Sequence, residues 1–208
     1  MNKIHITIIS DVSCPWCYVG RKRMINAINQ LPDKEITYEY HPYIIDRGTK
    51  KDGEEYMAYN VRRWGGDGWT YSMKRDSKSD GCNFANWKYW PYSLHCHRLM
   101  MYANTKGKGS DLMGQFFEMN YEEGKNLSIK SGLMEACERV GLDLKECEKI
   151  IDTNEYQNEV LSEIQVWHKM GISGVPFYII EFPNGKKATL NGAVNSSKWI
   201  QVIKKYSE

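Results

Sequence analysis

The sequence predicts an α/β protein in which a long helical segment interrupts a small sheet with one parallel crossover. Three observations carry this. The apolar run Ile4–Ile9 is rich in β-branched residues, is too short for a helix, and is followed by a helical pattern. From about residue 52 to 171 the periodicity is helical. Strand character then returns at residues 177–182 and 187–190, and a last helix closes the chain.

Each element follows from local chemistry. After the first strand, Met24, Ile25, Ile28 and Leu31 recur at helical spacing, and Pro32 stops the helix. Residues 35–41 alternate apolar and polar side chains, the pattern of a second strand. A helix over residues 54–64 is expected to stop at Gly65-Gly66, and residues 67–91 are aromatic and weakly patterned. Helices follow over 92–103, over 110–121 with Leu112, Met113, Phe116 and Phe117 on one face, and over 128–140 up to Gly141. A short helix at 144–151 leads into a longer one, which Asp152 is expected to cap with Glu155 three residues on. Val160, Ile164 and Trp167 form its stripe. Pro183-Asn184-Gly185 reads as the turn of a hairpin, and Asn195 or Ser196 as the cap of the final helix through Tyr206. Residues 1–50 and 172–208 thus form the core, and 51–171 the insertion.

Composition narrows the function. A net charge of +2 over 208 residues gives no case for nucleic acid, and no basic run suggests a membrane surface. No stretch approaches the ~18 apolar residues of a membrane span. The chain enters Ile4–Ile9 without a signal-peptide pattern, and six cysteines are too few for a disulfide scaffold. The expectation is a cytoplasmic protein in which Cys82, Cys96, Cys137 and Cys147 are reduced and buried.

The most informative residues are Cys14-Pro15-Trp16-Cys17, where the first strand hands over to a helix. Pro15 suits the first helical position, because its missing N–H has no partner to lose there. Unpaired N–H groups and the positive end of the helix dipole favour a thiolate on Cys14. Cys17, one turn on, can attack a mixed disulfide formed on Cys14. Far downstream, Val175-Pro176 stands just before a strand, which allows a plain strand start or a cis bond facing the cysteines. In the second case the Val175 backbone is free to pair with an extended substrate.

The segments Asp11-Val12-Ser13-Cys14-Pro15-Trp16-Cys17-Tyr18-Val19-Gly20 and Gly174-Val175-Pro176-Phe177-Tyr178-Ile179 together carry a resemblance. Leu190-Asn191-Gly192-Ala193 and the run from His97-Arg98 to Ala103 support it. The chain resembles the DsbA-like branch of the thioredoxin-fold superfamily, and within it looks most like the FrnE group. The resemblance covers essentially the whole chain. It implies a thioredoxin-like fold with an inserted all-helical domain and a dithiol–disulfide oxidoreductase or disulfide isomerase. Cys14 is then the nucleophile, Cys17 the resolving thiol and Pro176 the cis-proline. It further implies no bound cofactor, glutathione as redox partner, and protein or small-molecule thiols and disulfides as substrates. DsbA itself carries a histidine between its cysteines, whereas Trp16 here adds no charge. Kappa-class glutathione transferases and hydroxychromene carboxylate isomerases share the architecture but have serine where Cys14 stands.

Two alternatives are therefore carried forward: a glutathione-linked isomerase or transferase acting on an aromatic compound, and a protein-binding adaptor. The first draws on the aromatic residues between Trp64 and Tyr92, where Phe84, Trp87 and Trp90, with Trp16 and Val175, are the candidate substrate contacts. A zinc site is disfavoured: there is no second Cys-x-x-Cys, and the adjacent His95, Cys96 and His97 point in different directions on a helix.

Overall fold

The computed structural model describes residues 3–207. Strand β1 (Ile4–Ser10) leads into helix α1 (Pro15–Ile28), which crosses over to β2 (Ile36–Pro42). β1 and β2 are parallel, with Ile4 opposite Ile36 and Ser10 opposite Pro42. The insertion follows as β3 (Glu54–Glu55), α2 (Tyr56–Trp64), α3 (Thr70–Ser77), β4 (Tyr89–Trp90), α4 (Leu94–Thr105), α5 (Gly109–Tyr121), α6 (Lys130–Arg139), α7 (Leu144–Asp152) and α8 (Gln157–Lys169). The chain then returns to the sheet as β5 (Phe177–Glu181) and β6 (Lys187–Asn191), and ends in α9 (Ser196–Ser207). The sheet order is β2-β1-β5-β6, with β5 antiparallel to both neighbours.

The period of two in β1 divides the core. Ile4, Ile6 and Ile8 point into the main cluster with Tyr178, Ile180 and Trp199, whereas Ile9 points to the other face with Tyr43 and Ile172 beneath Trp167. α1 packs against α9, and α4, α5 and α8 lie against β2. The main buried cluster continues from these strands into α4, α5 and α6.

The structure departs from the sequence expectations in three places. Residues 67–91 contain α3, whose apolar stripe is too thin to show in sequence: Met73 is its one fully buried apolar residue. Glu54-Glu55 do not begin α2; they pair with Tyr89-Trp90 as a two-residue ladder, and Glu55 caps the helix by accepting the Ala58 N–H at 2.8 Å. Asp152 ends α7 instead of capping α8, which starts after Tyr156 in the left-handed region at φ 63°. The cause is Arg98. Its buried guanidinium collects the carbonyls of Ile150, Thr153 and Glu155, so the chain must bend around it after α7. All six cysteines are buried and free, Cys82 and Cys96 among them.

The turn after Cys82 is held by one carboxylate. Glu122, at the end of α5, accepts hydrogen bonds from the Tyr18 hydroxyl at 2.7 Å and from the amides of Asn83, Phe84 and Ala85 at 2.8, 3.1 and 3.0 Å. Burial raises its pKa, but these donors outweigh burial and hold it below the usual value. Glu122→Ala is expected to cost about 2–3 kcal/mol, because three amides and a hydroxyl lose a charged acceptor. A depressed carboxylate stabilises above its unfolded pKa of about 4.3, and the gain fades as pH falls through the folded value. The wild-type advantage over Glu122→Ala, read by urea unfolding, should therefore be full at pH 7 and shrink towards pH 3. An advantage unchanged by acid would refute the assignment.

Candidate active site

Cys14 is the N-cap of α1, in an extended conformation at φ −87°, ψ 111°, and Pro15 occupies the first turn. No side chain caps this helix, so the positive end of its dipole lies at Cys14. The amides of Cys17 and Tyr18 turn back to the Cys14 carbonyl at 2.9 and 3.4 Å. Both sulfurs lie below the surface, Cys14 at 6% exposure and Cys17 at 2%. Trp16 projects outward beside them and is 38% exposed, one of the larger apolar side chains left open to solvent.

The far wall is the entry to β5. The Val175–Pro176 peptide is cis, and the Cys14 sulfur donates to the Val175 carbonyl at 3.7 Å. Pro176 is buried and Val175 half-buried. α1 reaches this close because residue 20 is glycine: a Cβ there would stand 2.3 Å from the Tyr178 hydroxyl and 3.0 Å from the Pro176 ring. Residues 161 positions apart in sequence thus share one site.

The two thiols differ in environment. Burial raises the Cys17 pKa well above its usual value, and the neighbouring Cys14 sulfur adds to the rise by hydrogen bonding and charge. The Asp11 backbone N–H and the Ser10 hydroxyl act in the opposite direction. The Ser10 hydroxyl is buried and has no other partner among the described residues. Cys82 is pushed up to about 12 by burial, and Cys96 is driven upward by the same cause.

The loop carrying Cys14 is braced from several elements. Asp11, fully buried, accepts the Ser13 amide at 3.0 Å and the Ile45 amide at 2.8 Å. The Asp11 carbonyl takes the Cys14 amide at 3.1 Å, and Tyr121 from α5 donates to the Val12 carbonyl at 3.0 Å. From α4 the fully buried His97 ring faces Asp11, with Nε2 3.4 Å from the carboxylate. His95 and Cys96 point elsewhere, His95 against Tyr92 and Cys96 to the Leu127 carbonyl at 3.6 Å. Asp11 and His97 were not apparent as a pair: they are 86 positions apart, and only their places in two motifs mark them.

Phe84, Trp87 and Trp90 do not line an open cleft. They are 7%, 7% and 1% exposed and pack as core. Trp90 stacks on Tyr59 at 3.8 Å, Trp87 meets Tyr121 edge-on at 5.0 Å, and Phe84 meets Tyr18 at 5.5 Å. Surface cavities of about 570 Å³ between α1 and α5 and about 470 Å³ between β6 and α9 do not include Cys14, Cys17 or Pro176. Among the described residues no three His, Cys, Asp or Glu side chains are grouped to hold a metal ion, and no helix is long and apolar enough to cross a membrane.

Comparison with known proteins agrees with this architecture. The chain is similar to an uncharacterized Bacillus subtilis protein, YwbO, at 24% identity over 187 residues, 85% of this chain and 86% of that one. A probable DsbA oxidoreductase from Streptomyces coelicolor superposes with a TM-score of 0.84 at 21% identity, covering 99% of this chain and 91% of that one. The cytosolic disulfide reductase DsbM from Pseudomonas aeruginosa, solved with GSH, superposes at 0.57 with 13% identity, over 97% of this chain and 98% of that one. The fold is the DsbA-like thioredoxin fold with a helical insertion. The DSBA-like thioredoxin domain model matches residues 5–199, and the chain belongs to that family.

Proposed function

We propose that the protein is a thiol–disulfide oxidoreductase in which Cys14 attacks and Cys17 resolves. The observation that carries this is the asymmetry of the buried pair. Cys14 sits at a helix N-terminus against the Val175 carbonyl, while Cys17 lies deeper with its pKa driven up. The Cys14 thiolate attacks one sulfur of a substrate disulfide, forming a mixed disulfide and releasing the other sulfur as a thiolate. Cys17 then loses its proton and attacks the Cys14 sulfur. The substrate leaves as its second thiol, and the Cys14–Cys17 disulfide remains. Two molecules of glutathione reverse the process, ending as glutathione disulfide.

The substrate chemistry follows from the surroundings. The reacting sulfur meets an open edge with the Val175 backbone on one side and Trp16 on the other, a shape suited to an extended peptide or glutathione. Pro176, in cis after Val175, is buried. Burial of Phe84, Trp87 and Trp90 removes the aromatic wall that favoured an isomerase of aromatic compounds. The neighbour described as a cytosolic disulfide reductase, solved with GSH, supports glutathione as redox partner and a cytoplasmic setting. The resemblance to the FrnE group belongs to the same reading.

Brief iodoacetamide treatment of reduced protein is expected to label Cys14 first and to leave Cys82 and Cys96 untouched, as peptide mass spectrometry would show. Cys14→Ser is expected to abolish insulin reduction, and Cys17→Ala to accumulate a mixed disulfide with glutathione. Preferential labelling of Cys17 would reverse the roles, and full activity of a variant lacking both cysteines would leave an adaptor. Burial, the largest cause of the raised Cys17 pKa, persists in the mixed disulfide and keeps its thiolate scarce at low pH. The resolution step should accelerate with pH through neutrality, roughly tenfold per unit in stopped-flow measurements; a flat profile would contradict it.

Trp16→Ala is expected to lower kcat/KM for a protein disulfide by about tenfold, the scale of an exposed aromatic contact. Thermal stability should hardly change, since no core contact is lost. Unchanged turnover would remove Trp16 from the substrate site.

A further inference from the structure

We propose that His97 and Asp11 form a buried, charge-compensated pair that positions the Cys14–Cys17 turn and sets how far the dithiol favours its reduced form. The inference rests on the oxidoreductase reading above. Both side chains are fully buried, and Nε2 of His97 stands 3.4 Å from Asp11 Oδ1. Hydrogen bonding and charge from His97 both act to lower the Asp11 pKa. The other ring nitrogen, Nδ1, has no partner among the described residues.

Asp11 must be an anion to do its work. Its two oxygens accept the Ser13 and Ile45 amides, and those donors, with His97, outweigh burial and keep its pKa below the usual value. A fully buried carboxylate needs a counter-charge. The other titratable groups that face it are Cys96 from α4, Tyr43 after β2 and Tyr121 from α5; burial drives the pKa of each upward and keeps it neutral, and neither a thiol nor a phenol can supply a positive charge. His97 is the group that can compensate it. The pair therefore joins α4 of the insertion to the turn that carries the nucleophile.

The redox consequence has a definite sign. The Asp11 carbonyl holds the Cys14 amide and its N–H faces the Cys17 sulfur, so the carboxylate hangs from the backbone that cradles both thiols. The intervening space is buried and poorly screened. With His97 present, the carboxylate is compensated and the Cys14 thiolate is not opposed. With His97 replaced by a neutral residue, Asp11 keeps only the Ile45 and Ser13 amides, and at pH 8 its uncompensated anion stands near the thiolate. The reduced form then loses stability relative to the disulfide, and the protein becomes more reducing.

Equilibration with glutathione tests this: dithiol plus glutathione disulfide gives protein disulfide plus two glutathione molecules. At pH 8, His97→Asn is expected to move the equilibrium about tenfold towards the protein disulfide, about 30 mV in potential. The double variant Asp11→Asn/His97→Asn, with neither charge, should return to within threefold of wild type. A merely structural role predicts the opposite, a double variant shifted at least as far as the single. That result, or a single variant within threefold of wild type, overturns the proposal. Should His97→Asn fail to fold, the wild-type His97 ring 15N signals decide: they should move between oxidised and reduced protein, and unchanged signals overturn the coupling. A wild-type dithiol that does not exchange with glutathione at all refutes the oxidoreductase reading itself, a different failure from unmoved variants on a working dithiol.

Discussion

The turn from β1 into α1 must meet two demands within four residues. It has to present the Cys14 sulfur at the bare end of a helix, and it has to leave no buried polar backbone group unpaired. The Asp11 carboxylate takes the Ser13 and Ile45 amides, its carbonyl takes the Cys14 amide, and the Val12 carbonyl is taken by Tyr121. These partners come from the turn itself, from the segment after β2 and from α5. A reactive sulfur needs a support that does not yield when a substrate pulls on it. Here that support is assembled from elements far apart in sequence, so the helical insertion is part of the redox site's rigidity.

What was legible in the sequence follows from the range of the interactions that decide it. Ile4–Ile9 reads as a strand because β-branched side chains pack on a pleated surface wherever they occur, and the stripe of Leu112, Met113, Phe116 and Phe117 declares its helix locally. Cys14, Cys17 and Val175-Pro176 were visible because their chemistry demands particular residue types at close spacing. Asp11 and His97 were not, since nothing in 85 intervening residues states that α4 folds back over the turn. The Asp152 cap failed for the same reason: the pattern was locally sound, but the Arg98 guanidinium claimed the carbonyls after α7.

The same distinction explains the aromatic segment. Aromatic residues in a weakly patterned stretch fit both a ligand wall and a packed core, because the area buried is favourable in either case. Glu122 decides between them by tying residues 83–85 to the end of α5, which turns Phe84 and Trp87 inward onto Tyr18 and Tyr121. Trp16 escapes because it lies on the first turn of α1, where its side chain remains 38% exposed. His97 and Arg98 show how one short motif does two jobs. Adjacent on α4, they point apart, one to the redox turn and the other to the end of α7.

In the proposed mechanism, the order of the two chemical steps follows from the Cys17 environment. While Cys14 is a thiolate, its charge and its hydrogen bond from Cys17 both hold the second proton in place, adding to the cost of burial. Once Cys14 enters a mixed disulfide its charge is gone, and both of those contributions vanish together. What remains around Cys17 is burial on one side and, on the other, the Asp11 amide and the otherwise unpartnered Ser10 hydroxyl, which favour a thiolate. Cys17 therefore becomes easier to ionise only after Cys14 has reacted. On this reading, the mixed disulfide itself eases the ionisation that resolution requires.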